Sequence, residues 1–189
     1  MKHQVRISIL PAAVLLAVAF SAPVSAQAEE TRVDEIQQRI DNQEARIDQG
    51  INKGQITAKE AAGDEARVAR IEDQLRHDEA EHGGQITASE QAQLNHELNA
   101  NSADIYSQRS INEILQRIHN EEARINQGIN QGQITPSEAA ADEARIARIE
   151  DQLRHDEAEL GGHITSREVA QLNHELNANS ADIHSQRHR

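Results

Sequence analysis

Shifted by 78 residues, the chain lies on itself: Asp41–Arg109 and His119–Arg187 agree at about 55 of 69 positions. Ile71-Glu72-Asp73-Gln74-Leu75-Arg76-His77, for example, returns as Ile149-Glu150-Asp151-Gln152-Leu153-Arg154-His155. Two stretches this similar take the same fold, so one architecture has to serve both. A period of about 30 residues runs inside each copy, where Gly54-Gln55-Ile56-Thr57-Ala58-Lys59-Glu60 is echoed by Gly84-Gln85-Ile86-Thr87-Ala88-Ser89-Glu90. Gly132–Glu138 and Gly162–Glu168 complete a set of four such marks. The repeats predict two helical units, residues 27–109 and 110–189, behind a leader at 1–26.

Every mark carries the chemistry of a helix ending and another beginning. Gly54 is free to take the left-handed conformation that stops a helix, and Thr57 with Glu60 three residues on forms a capping box. Ile56, just before the cap, is placed as a hydrophobic staple. In the third mark Pro136 follows the capping Thr135, at the first helical position, where its missing N–H costs nothing. Between marks the apolar residues recur at helical spacing: Val33, Ile36, Ile40, Ile47 and Ile51 on one stripe, and Val68, Ile71, Leu75 and position 82, which is Leu160 in the second copy, on another. Leu94, Leu98, Asn101 and Ile105 continue the pattern with one polar interruption.

The spacing predicts an all-α fold of tandem antiparallel three-helix units with narrow, coiled-coil-like stripes. Neither Gly nor Pro occurs between Gly84 and Gly128, which allows one long central helix through the junction. Asn99-Ala100-Asn101-Ser102, low in helix propensity, is the place where such a helix would break, and both outcomes stay open.

Composition limits the function. Lys2, His3 and Arg6 precede an apolar run from Ile7 to Ala19, and Val24-Ser25-Ala26 offers small residues for cleavage after Ala26, or alternatively after Ala28; this reads as a secretory signal and predicts a periplasmic or secreted protein. The run falls short of the ~20 residues a membrane span needs, so no membrane insertion is expected. Without Cys there is no disulfide, lipid attachment or thiolate chemistry. Loss of Lys2 and Arg6 with the leader takes the formal charge from −13 to −15, a balance that disfavours nucleic acid and anionic lipid as partners. Beyond residue 26 there are 29 Ile, Leu and Val, one Tyr and no Phe or Trp, a lean core from which to build a water-excluding pocket. No phosphate loop, His-Glu-x-x-His or nucleophile elbow is present, and a non-enzymatic protein is expected.

Two patterns point to cations. With Gly84 in the sixth place of a twelve-residue loop, Ile86 in the eighth and Glu90 in the twelfth, Glu79 and Glu81 fall on the first and third ligand places, and Glu157, Glu159, Gly162, Ile164 and Glu168 repeat the arrangement. These stretches resemble EF-hand loops, which implies Ca²⁺ or another divalent cation on Glu79, Glu81, Glu90, Glu157, Glu159 and Glu168. Gly83 and Gly161 occupy the fifth place, where the family carries an oxygen ligand. The capping box is a second, sufficient reason for the same Gly, Thr and Glu. Separately, Asp73, His77 and Glu81 lie four residues apart along one helical face, as do Asp151, His155 and Glu159, giving Asp73, His77, Asp151 and His155 as alternative metal ligands or as a solvated i,i+4 face.

Ile86-Thr87-Ala88-Ser89-Glu90 and Ile164-Thr165-Ser166-Arg167-Glu168 are also similar to the Leu-Thr-x-x-Gln motif of the CpxP/Spy family of helical periplasmic chaperones and metal-stress sensors, with Ile for Leu and Glu for Gln. That resemblance implies unfolded or partner proteins as ligands. Together these features predict an exported acidic helical repeat protein that takes up divalent cations weakly, with a chaperone or envelope-stress protein, or a structural protein without specific ligand, as its alternatives. The apolar stripes offer a route to homo-oligomers.

Overall fold

The computed structural model describes residues 24–188, with side chains from residue 31 onward, so the expected leader lies outside the described side chains. Five helices account for the described residues: α1 (Val24–Asn52), α2 (Ala58–Glu81), α3 (Ala88–Asn130), α4 (Pro136–Glu159) and α5 (Ser166–Arg187). Helices α2 to α5 each begin on the expected capping box, Thr57 with Glu60, Thr87 with Glu90, Thr135 with Glu138 and Thr165 with Glu168. In each box the Thr hydroxyl accepts the Glu N–H and the Glu carboxylate accepts the Thr N–H, which satisfies two otherwise orphaned donors. Gly54 and Gly132 take φ of 66° and 67° at the ends of α1 and α3, and glycine pairs with positive φ end α2 and α4.

Helices α1, α2 and the first half of α3 enclose one apolar core, and the second half of α3, α4 and α5 enclose another. Each of the twelve buried apolar residues of the first core has its counterpart 78 positions on in the second, from Ile36 and Ile114 to Ile105 and Ile183. Helix α3 belongs to both and runs unbroken for 43 residues. The units overlap on it: Asn112 of α3 donates to the Gln55 carbonyl ahead of α2 at 3.1 Å, while Ser107 of α3 accepts the Ile164 N–H from the α4–α5 turn at 2.8 Å. No helix of the described residues is long and apolar enough to cross a membrane.

The stripes depart from expectation at their ends. Ile51 is 41 % exposed and Leu160 39 %, because both sit where a helix stops. On α1 the inward position after Ile47 is filled by Gly50, which leaves room for Ile56 to fold back over it. Leu160 is the C-cap of α4 and faces the surface beside Tyr106.

Candidate functional site

The carboxylates flanking the α2–α3 and α4–α5 turns do not converge. Glu79 and Glu81 are still within α2, and residues two apart on a helix point about 200° away from each other, so their side chains diverge. The backbone at Glu79 closes the helix, its carbonyl accepting the Gly84 N–H at 2.7 Å, and the Glu157 carbonyl does the same for Gly162. Glu90 lies beyond the turn in the first turn of α3. Its Oε2 accepts the Thr87 N–H at 2.7 Å and its Oε1 is 2.9 Å from His82 Nε2. The Thr87 backbone N–H, with smaller help from the Thr87 hydroxyl and His82, holds the Glu90 carboxyl below the usual glutamate range. The Glu168 carboxylate accepts the Thr165 N–H at 2.7 Å. Glu157 is half-buried, and that burial pushes its carboxyl up.

On the helical faces His77 stands 3.4 Å from Glu81, and His155 3.3 Å from Glu159. The fourth-residue spacing thus brings each pair together in solvent, while Asp73 and Asp151 turn instead to Arg76 and Arg154. Among the described residues no group of three or more His, Cys, Asp or Glu is placed to hold a metal ion.

What sequence reading passed over is a polar seam through each core. In the first unit Gln43 is buried on α1; its Nε2 donates to the Leu98 carbonyl at 2.6 Å and its Oε1 accepts from Asn101 Nδ2 at 2.7 Å. Asn101 Oδ1 in turn accepts from Arg67 Nε at 2.8 Å, and Arg67 grips Asp64 on its own helix and Asp104 of α3. Asp64 is fully buried, and its Oδ2 and the Gln108 Oε1 have no hydrogen-bond partner, a pattern repeated at Asp142 and Gln186. Alongside, Arg39 reaches Asn95 and Asn99, and Arg46 reaches Ser102. The missing Ile between Ile40 and Ile47 was the available signal, since helical spacing requires an inward residue at 43.

The second unit differs in one buried polar position: Glu121 replaces Gln43 and accepts from Asn179 Nδ2 at 2.8 Å while only 3 % exposed. Burial pushes the carboxyls of Glu121 and Asp142 above their usual values, against the pull of Asn179, Arg117 and Arg124 on the first and of Gln186 and Arg145 on the second. Outside the seams, Tyr106, Leu160 and His163 edge a shallow cleft of about 410 Å³ at the junction of the units. The chain matches no family model, no curated protein and no solved structure.

Proposed function

We propose that the chain is an exported, non-enzymatic, acidic helical-repeat protein that serves as a rigid spacer or scaffold, in the periplasm or outside the cell. The observation that supports this reading is α3, a single helix of 43 residues built into both cores, roughly 65 Å long at 1.5 Å per residue. The units turn their apolar residues inward and present charge outward, which suits a rod that keeps its neighbours apart. Divalent cations collect on it through the charge of the whole surface, with Glu90 and Glu168 committed to capping. Calorimetric titration of the mature protein with Ca²⁺, Zn²⁺, Cu²⁺ and Ni²⁺ tests this. Weak heats that fade at 0.15 M salt, where the screening length is about 8 Å, are expected. A saturable stoichiometric isotherm that survives salt would overturn it, and its loss in Glu90→Gln with Glu168→Gln, or in His77→Ala with His155→Ala, would locate the site.

One observation favours a second reading, the chaperone or envelope-stress role: the cleft with exposed Tyr106 and Leu160. Suppression of the aggregation of an unfolded client that disappears in Leu160→Ser would establish it. Absence of suppression at tenfold molar excess would remove it.

A further inference from the structure

The two units are nearly superimposable in sequence, so the rare places where their interiors differ stand out. In the first unit Gln43 uses both ends of its amide: Nε2 donates to the Leu98 carbonyl at 2.6 Å and Oε1 accepts from Asn101 at 2.7 Å. In the second, Asn179 still donates at 2.8 Å, now to Glu121 Oε2. The counterpart of the Gln43 amino group is the other carboxyl oxygen of Glu121, and the counterpart of the Leu98 carbonyl is that of Leu176. An ionised carboxylate has no hydrogen to offer a carbonyl, whereas the neutral acid carries one O–H and reproduces the hydrogen bonding of glutamine. We propose that Glu121 is a proton-operated latch of the second unit: as the acid it donates to the Leu176 carbonyl and ties α3 to α5, and on losing its proton to solvent it loosens this unit while leaving the first unit unaffected.

The surroundings decide which form the fold prefers. Glu121 is 3 % exposed, and removal from water disfavours the charged form. On α3 itself Arg117 and Arg124 pull toward ionisation, yet both are engaged elsewhere, Arg117 with Asn173 and Asn177 and Arg124 with Ser180. From α4, Asp142 adds a like charge. Arg145, also on α4, is bound to Asp142 at 2.9 Å and to Asp182 of α5 at 2.7 Å. From α5 the direct contact is Asn179, which is neutral. The first unit keeps the equivalent Arg67, Asp64 and Asp104 but has Gln43 in place of the titrating group.

Because the folded state holds this proton more tightly than the unfolded chain, the contribution is fully present below the ordinary glutamate range. It is lost as pH rises through the elevated folded value. Each unit of that elevation is a tenfold factor in the folding equilibrium.

The test compares urea midpoints of the full chain and of Glu121→Gln between pH 4.5 and pH 8. The expected result is a gap close to zero at the acid end that opens in favour of the variant as pH rises. A gap that stays constant with pH, or a variant less stable at pH 8, would overturn the latch. The reciprocal Gln43→Glu should give the first unit the same sensitivity; an unchanged pH profile in that variant also counts against it. A carbon-13 titration of the Glu121 carboxyl in the unaltered protein gives an answer independent of any substitution. The resonance should shift above the usual glutamate range, and a shift within or below that range would refute the proposal.

Discussion

Gly50 and Ile56 touch so closely that a methyl group has no place between them: a Cβ on Gly50 would sit 2.4 Å from the Ile56 Cδ1. Gly128 stands in the same relation to Ile134. Both glycines have helical backbone, so the requirement is for space under the staple and has nothing to do with backbone freedom. The Gln55 and Ile56 N–H groups also donate to the Gly50 carbonyl at 2.8 and 3.2 Å, which pins the turn on this spot.

Gly50→Ala is therefore expected to destabilise the first unit. Alanine gains up to about 1 kcal/mol of helix propensity over glycine, but overpacking costs about 1–3 kcal/mol and pushes Ile56 out of place. Urea denaturation measures the balance. A variant as stable as the parent would show that the staple yields.

Thr57→Ala and Thr135→Ala should each cost about 1 kcal/mol by removing the acceptor of the Glu60 and Glu138 N–H groups. Their thermal melts check this, and the two losses should be alike because the two turns are built alike. Unchanged melting points in both would show that the boxes contribute nothing.

Acid should weaken the α2–α3 turn. Glu90 has its carboxyl held below the usual 4.5 by the Thr87 N–H, so its stabilisation is present above that pH and is lost as pH falls through the lower folded value. Glu90→Gln keeps an oxygen for capping and removes the titration. The variant's urea midpoint should fall less steeply below pH 4.5 than the parent's, and an identical acid limb would dismiss the effect. This direction is opposite to that at Glu121, where rising pH is the destabilising change.

The caps and most apolar positions were legible because each is a local pattern: Thr57 and Glu60 are three residues apart, and Ile36, Ile40 and Ile47 follow one face. Continuity of α3 was not legible. Asn99 and Ser102, which read as a weak point, instead receive Arg39 and Arg46 from α1, and Asn101 receives Arg67 from α2, so tertiary hydrogen bonds override poor propensity. Asp64 looked like an ordinary polar residue on a charged helix, and at Gln43 the only mark of burial was the gap it leaves between Ile40 and Ile47. The turn carboxylates failed to converge for a geometric reason that spacing hides: the helix persists through Glu81, and the next begins before Glu90.

The unbroken α3 is tested most directly by a distance measurement between spin labels at its two ends. The chain has no cysteine, so Ala92→Cys with Asn126→Cys, both at exposed positions, gives one clean labelled pair. Thirty-four residues of helix span about 50 Å. Pulsed dipolar spectroscopy should return one narrow distribution near that backbone separation, unchanged at 0.5 M salt. A broad or two-peaked distribution reaching to much shorter distances would mean that α3 bends between the units and that the chain is no rigid spacer.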